Sequence, residues 1–340
     1  MRISVDIGFG YTKAVNEKGK SVFFPSVVAP LYASTTGGAL GYGNDDYIVR
    51  MNDKDYYVGD AAMTAGGDRQ WEEEAAENAN LNILVGTAVH VLMSKDEEID
   101  LVVGLPMSFY TSQRKAIKET LLSLKTDITI GGKTKHVQFS SVFVFPQSAG
   151  VYYHAIHNID GSIKDMNLFN KQVGVIDCGN RTVDLLYMAR GRKGLMPREE
   201  LSGSEDLGMY EAHKIVQHKA RALINGNADL IEIEKSLLWF NGDLDFKGQT
   251  YNLRKIQKET YAEHAQKIVA WVKQKWGDDI NTLHSVIIGG GGGEALFSHF
   301  EDQFPSIIKV EKPILSNAYG YLAAQALAMR AKQEAAATKE

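Results

Sequence analysis

Residues 1–13 read MRISVDIGFGYTK, and residues 173–184 read VGVIDCGNRTVD. In each, a short apolar, β-branched run ends in Asp-x-Gly, and a second run of strand character begins a few residues later. Glycine at such a place permits a tight reversal and lets other groups approach the backbone closely. The two units start at Asp6 and Asp177, about half a chain length apart, so a β-turn-β unit occurs twice. That duplication predicts two pseudo-symmetric lobes, each presenting one Asp-x-Gly turn to a shared cleft.

Outside these units the pattern alternates. A third strand is expected near 22–28. Residues 32–46 (YASTTGGALGYGNDD) lack any apolar period and read as a loop that is long for a compact domain. A helix is expected over 71–93, with Glu72, Glu73 and Glu74 suiting its N-terminal dipole. A buried strand follows over 100–105, then a helix over 111–124. A hairpin (128–130 with 135–139) around Gly131 and Gly132, a separate strand over 142–145 and a helix over 148–157 complete the first half. In the second half, helices are expected over 209–224, 231–239 and 260–276. A strand over 285–288 runs into five glycines at 289–293, and a last helix starts at 318. Strands alternating with long helical patterns define an α/β architecture.

Composition sets the outer bounds. A chain of 340 residues has room for two domains, each with its own core. Lys plus Arg number 37 against 42 Asp plus Glu, a net charge of −5, which gives no support to a protein that coats DNA directly. The single cysteine, Cys178, excludes an internal disulfide and points to a reducing compartment. Asp6 interrupts any apolar core of a signal peptide, and no run reaches the roughly 20 apolar residues of a membrane helix. The expectation is a cytoplasmic protein without membrane contact.

Four features bear on chemistry. DIGFGYTK places Lys13 after Asp6, and DCGNRTVD places Thr182 and Asp184 after Asp177. PQSAG at 146–150 puts Gln147 at a strand-to-helix junction, and IIGGGGGE at 287–294 puts glycines directly after a buried strand. Backbone N–H groups in glycine-rich turns and at helix N-termini bind phosphate well. Taken singly, each feature is equally a tight hairpin or a packing glycine; as a set they suit a nucleoside triphosphate with Mg²⁺.

The set, in this order and over nearly the whole chain, resembles the superfamily of actin, chaperone and sugar-kinase ATPases. It looks most like bacterial and archaeal actin-like proteins of the ParM plasmid-segregation type, a likeness that includes FPS at 24–26. The resemblance implies a duplicated actin-like (ribonuclease H-like) α/β fold, with two lobes around a nucleotide cleft. Lobe I would span 1–160 plus 316–340, and lobe II 161–315. Asp6 and Asp177 would hold Mg²⁺ through water and, with Gln147 orienting the attacking water, form the catalytic set. The backbone of Gly8, Phe9, Gly10 and Tyr11 and of Gly179, Asn180, Arg181 and Thr182 would cradle the β- and γ-phosphates. Thr12 would assist, and Lys13 would neutralise phosphate charge. Gly289, Gly290, Gly291 and Gly292 would let the base lie on the backbone. Gly208 and the helix over 207–220, with Glu211 or Lys214 near the ribose, would close the other side.

By the same resemblance the cofactors are ATP or GTP with Mg²⁺. The chain would polymerise head to tail into multi-stranded filaments and move plasmid DNA through a ParR-like centromere-binding adaptor. Two departures touch the chemistry: Phe9 and Gly10 stand where eukaryotic actin has small hydroxyl residues, and Asp184 where it has a histidine. The competing functions are a small-molecule kinase, for which no extra Asp in a glycine-rich substrate loop is evident, and a chaperone-like switch, for which the tail after Ala323 is too short to carry a client domain. Other candidates read as packing or solvated surface: His154 and His157 as helix-face residues, Cys178 as a small hydrophobe, Trp271 and Trp276 as core, and Arg190, Arg192 and Lys193 as a hairpin turn. Loop 32–46 is equally a subunit contact and a surface loop.

Overall fold

The doubled β-turn-β unit becomes two sheets of like order. The computed structural model describes residues 1–31, 47–67, 69, 80–192, 194–304 and 306–337. The expected loop over 32–46, the acidic Glu72, Glu73 and Glu74, and Lys193 lie outside the described residues. The chain divides into two units, Met1–Phe169 with Val310–Glu340, and Asn170–Lys309.

The first unit runs β1 (Arg2–Ile7), β2 (Tyr11–Asn16), β3 (Ser21–Pro25), β4 (Val28–Pro30), β5 (Tyr47–Met51), β6 (Lys54–Val58), α1 (Asp60–Thr64), α2 (Leu81–Leu92), β7 (Ile99–Leu105), α3 (Met107–Leu122), β8 (Lys125–Ile130), β9 (Lys133–Pro146) and α4 (Gln147–Ile156). Among the described residues its sheet has the order β3-β2-β1-β7-β9-β8-β5-β6-β4. Strands β1, β2 and β3 are antiparallel neighbours, while β7 joins β1 and β9 joins β7 in parallel.

The second unit runs β10 (Val173–Cys178), β11 (Val183–Gly191), β12 (Gly194–Pro197), β13 (Gly203–Glu205), α5 (Met209–Ile224), α6 (Leu230–Leu238), β14 (Asp243–Phe246), β15 (Gln249–Asn252), α7 (Arg254–Trp276), β16 (Ser285–Gly289), α8 (Gly290–Phe300) and β17 (Ile307–Lys309). The order β12-β11-β10-β16-β17 repeats the first five strands of the other sheet, again with two antiparallel and two parallel pairings. The chain then returns to the first unit as α9 (Ser316–Ala337). Register repeats as well: Asp6 lies opposite Lys13, and Asp177 opposite Asp184.

Strands β1 and β10 are near-continuously buried, as expected of central strands covered on both faces. Ile3 and Val5 of β1 share a core with Leu84, Val85 and Ala88 of α2. On the opposite face Ser4 donates its hydroxyl to Ala318 O of α9 (2.6 Å). Helices α4 and α9 cross at a glycine pair, where a Cβ on Gly320 would lie 1.8 Å from Gly150 O. Residues just past 160 stay with the first unit, because Lys164 N–H donates to Ile156 O and Gly161 packs on Ala326 and Leu327.

Three expected elements differ. The hairpin arm over 135–139 and the strand over 142–145 are one strand, β9. Its register against β7 steps from Ile99–Phe139 to Asp100–Ser141, leaving Ser140 as a bulge whose hydroxyl donates to Ile99 O (3.1 Å). The polar Ser140-Ser141 pair marks that bulge rather than a turn. Helix α7 starts at Arg254, ahead of 260. The glycine run is itself helical: Gly290 already opens α8, ahead of 295.

His154 of α4 is buried, donates Nε2–H to Glu311 O (2.6 Å) and stacks on Tyr319. Burial, then the nearby Lys164, pushes its pKa down to about 4. Burial also lowers His90, His157 and His264. Since the unfolded chain binds protons on these rings first, stability is complete above the ordinary histidine range. It falls as pH drops from about 6.5 towards 4.

Two outcomes follow for urea unfolding. Gly320→Ala loses about 3 kcal/mol through the clash at the helix crossing. His154→Gln makes the stability–pH curve shallower over the interval below 6.5, by up to about 3 kcal/mol, with the remaining slope due to the other three histidines.

Candidate functional site

In the first unit, the end of β1 delivers Asp6 and the start of α4 delivers Gln147. The Asp6 carboxylate is buried and engaged at both oxygens: Lys13 Nζ lies 3.1 Å from Oδ2, and Gln147 Nε2 donates to Oδ1 (3.1 Å). Lys13 reaches Asp6 because it is its cross-strand partner. Gln147 reaches it because β9 runs straight into α4, with Pro146 as the last non-helical residue. With its amide nitrogen on Asp6, Gln147 presents Oε1 as its acceptor end.

The turn between β1 and β2 is closed by Gly8 N–H donating to Tyr11 O (3.1 Å). Behind it stands Ser26, outside every motif residue expected to bind. Its hydroxyl donates to Gly8 O (2.7 Å) and its N–H to Gly10 O (3.0 Å). The hydroxyl proton is thereby committed, so the Thr12 hydroxyl is the donor in its 2.9 Å contact with Ser26 Oγ. Thr12 is fully buried, and its side chain serves this internal chain. In a trans peptide the N–H points opposite to the C=O. Carbonyls 8 and 10 face Ser26, so the N–H groups of Phe9 and Tyr11 face the other way.

The second unit repeats the design with different anchors. Gly179 N–H donates to Thr182 O (2.9 Å), closing an equivalent turn. The first N–H groups of the α5 entry hold its carbonyls: Gly208 to Arg181 O (2.8 Å), Met209 to Gly179 O (3.2 Å) and Tyr210 to Asn180 O (2.8 Å). The N–H groups of Asn180, Arg181 and Thr182 therefore face away from α5. Contact is so close that a Cβ on Gly208 would sit 2.4 Å from Asn180 O. His264 of α7 donates to Leu207 O (2.8 Å) and steadies the same entry.

Asp177 and Asp184 are both buried, side by side on neighbouring strands, and Thr182 Oγ1 donates to Asp184 Oδ2 (2.8 Å). Arg181 pairs with Asp206 (3.3 Å). Glu211 and Lys214 pair with each other on the half-exposed face of α5 (2.5 Å). Of the glycine run, Gly289 ends β16 and Gly290–Gly292 form the first turn of α8, with Gly291 exposed and the others buried. Gly290 has φ 79°, and a Cβ there would lie 2.2 Å from Cys178 O and 2.6 Å from Asp177 Oδ1. A Cβ on Gly292 would meet Cys178 Sγ at 2.3 Å. These glycines seat α8 on the end of β10, beside Asp177. Burial, reinforced by both aspartates, pushes the Cys178 thiol pKa upward, so it stays a packed neutral group.

The sequence-expected residues thus fall into one constellation per unit: Asp6, Gly8–Lys13 and Gln147 in the first, and Asp177, Gly179–Thr182, Gly208 and Gly289–Gly292 in the second. Among the described residues no group of three or more His, Cys, Asp or Glu converges as a metal cage would. Buried carboxylates such as Asp177 and Asp184 nevertheless suit Mg²⁺, which keeps most of its waters and takes one or two carboxylates. No helix among the described residues is long and apolar enough to cross a membrane.

Residues 4–150 match the family model for the N-terminal domain of actin-like proteins, and residues 175–302 match that for the C-terminal domain of the archaeal, MreB-like actin homologue. The chain has the actin-like ATPase fold. An archaeal actin homologue of Thermoplasma acidophilum is 22% identical over 335 residues, covering 94% of this chain and 97% of the relative. Among solved structures, a 15-stranded ParM filament from Clostridium botulinum aligns with a TM-score of 0.82 at 24% identity, covering 95% of this chain and 99% of that one. An archaeal actin homologue in complex with ADP aligns with a TM-score of 0.77 at 19% identity, covering 96% and 99%.

Ser26 is the residue that motif reading passed over, although FPS at 24–26 was visible as a pattern. The Asp6–Lys13 pair also makes a stability statement. Lys13→Met strands a buried carboxylate and costs about 3 kcal/mol, while Asp6→Asn combined with Lys13→Met recovers most of the loss. Denaturant titration of the nucleotide-free protein measures both.

Proposed function

We propose that this actin-like chain binds ATP or GTP with Mg²⁺, hydrolyses it, and assembles with copies of itself, head to tail, into multi-stranded filaments. The observation that carries the proposal is the repeated turn. In each unit the carbonyls are tied down within the unit, N–H groups point away from the anchor, and a buried aspartate lies at the preceding strand end. Such turns suit phosphate groups. The likeness to an archaeal actin homologue with ADP, and to a ParM filament, supports the reading.

In this reading the first unit binds phosphate through Phe9 and Tyr11 N–H, with Lys13 as a point cation. Gln147 Oε1 accepts a hydrogen bond from the attacking water and orients it, as such a residue does in other nucleotide hydrolases. The second unit binds phosphate through Asn180, Arg181 and Thr182 N–H. The first turn of α8 offers a glycine surface for the base, and Glu211 or Lys214 a polar contact to the ribose. Mg²⁺ would be held through water by buried carboxylates such as Asp177, with Asp6 the corresponding residue of the first unit, and would supply charge neutralisation on the phosphates. A head-to-tail contact uses two different surfaces, so it propagates as an open filament unless its rotation closes a ring. Loss of the γ-phosphate removes phosphate contacts and weakens the polymer, a switch driven by local electrostatics. The filament would move plasmid DNA in the cytoplasm through a ParR-like, centromere-binding adaptor, since a chain of net charge −5 is not itself a DNA coat.

Light scattering, phosphate release and electron microscopy with Mg²⁺ and each nucleotide test this. Filaments and phosphate release are expected with a triphosphate. Gln147→Ala is expected to slow release by about a hundredfold and to prolong the polymer. Absence of assembly across Mg²⁺, salt and protein concentration would sink the polymer claim, and diphosphate production that needs an added acceptor would point to a kinase.

A further inference from the structure

We infer that Ser26 is a positioning residue for nucleotide binding: through its hydroxyl and its N–H it sets the direction in which the first turn presents Phe9 and Tyr11 N–H to the terminal phosphate of a nucleoside triphosphate. The inference rests on the nucleotide-binding reading above and extends it to a residue outside the motifs.

Ser26 lies between β3 and β4, past the strand that pairs with β2, so it approaches the turn from behind. It makes three hydrogen bonds there. Its Oγ donates to Gly8 O (2.7 Å) and accepts from Thr12 Oγ1 (2.9 Å), and its N–H donates to Gly10 O (3.0 Å). The two acceptor carbonyls belong to the peptides whose N–H groups are those of Phe9 and Tyr11. Rotation of either peptide would turn its N–H away and break the bond to Ser26 at the same time. The intervening Phe9-Gly10 peptide has no such anchor from Ser26, so the residue clamps alternate peptides and leaves the middle one to follow.

Glycine makes the approach possible on the other side. A Cβ on Gly8 would lie 3.0 Å from Tyr11 O and 3.1 Å from Lys13 Nζ, so a side chain there would press on the cation that pairs with Asp6. Neither Gly8 nor Gly10 has positive φ, so the turn is not held by a conformation that only glycine adopts. Its orientation must come from its contacts, and Ser26 supplies those to both flanking carbonyls. In the second unit the α5 entry performs the same service with three backbone N–H groups, which truncating a side chain leaves in place. In the first unit part of that service is a single hydroxyl, which makes it testable.

The experiment uses the full chain and the series Ser26→Ala, Ser26→Cys and Ser26→Thr, with ATP and ADP affinity, kcat, KM and thermal midpoint measured for each. A thiol is a nearly isosteric but weak donor, and threonine keeps the hydroxyl. Ser26→Ala is expected to weaken ATP binding about tenfold and ADP binding less than about threefold, Ser26→Cys to fall between, and Ser26→Thr to stay within about twofold of the parent. Unchanged ATP affinity and kcat/KM in Ser26→Ala overturns the inference, as does an equal loss for ATP and ADP that merely tracks the folded fraction. Should Ser26→Ala fail to fold, Ser26→Cys decides, and parental ATP affinity there overturns it. A parent chain that binds no nucleotide overturns both this inference and the reading beneath it, whereas a binding parent with an indifferent series overturns this one alone.

Discussion

A backbone turn can present N–H groups to an anion only if its peptide planes are held from the opposite side. That constraint organises the functional half of each unit. The peptide is rigid and trans, so fixing a carbonyl fixes the N–H that shares its plane. In the first unit the fixing is done by Ser26, on the stretch that follows β3; in the second, by the N-terminal turn of α5. Much of the surrounding architecture can be read as support for those two anchors. The antiparallel β2–β3 pair carries the chain to Ser26, and α7, through His264, holds the residue that leads into α5.

The duplication makes the difference between the units informative. Asp6 and Asp177 occupy equivalent ends of equivalent strands, and the cross-strand position opposite is Lys13 in one and Asp184 in the other. One unit therefore brings a cation to the turn, and the other brings a second carboxylate. Asp6, with both oxygens engaged by Lys13 and Gln147, orients its neighbours. Asp177 and Asp184 place two buried carboxylates side by side on neighbouring strands.

The α/β fold class was legible because apolar, β-branched runs ended by glycine or proline alternate with long helical patterns, and the repeated Asp-x-Gly made the duplication visible. What escaped were features whose cause lies far along the chain. Nothing in a local window distinguishes the bulge at Ser140 from a strand end, since both appear as a polar break between apolar runs. The α5 entry reads as a helix start, yet its N–H groups are spent on carbonyls about thirty residues upstream, so it braces the Gly179–Thr182 turn. Ser26 was hidden because its role is defined by two carbonyls, and carbonyls carry no sequence signal.

Glycine shows most clearly how a residue type can be right for a reason other than the expected one. Tight turns invite an argument from positive φ, but Gly8, Gly10 and Gly179 do not adopt it. Gly8 instead leaves room beside Lys13, Gly208 lets α5 touch the second turn, and Gly292 lets α8 rest on Cys178. Among these site glycines it is Gly290, with φ 79°, where conformation and space both demand glycine. The shared requirement is close approach of one backbone to another. A turn held by its carbonyls from behind must place main chain where side chains would otherwise stand, and must brace it with further close contacts. Glycine is concentrated at strand ends in this chain because both layers of that arrangement lie there.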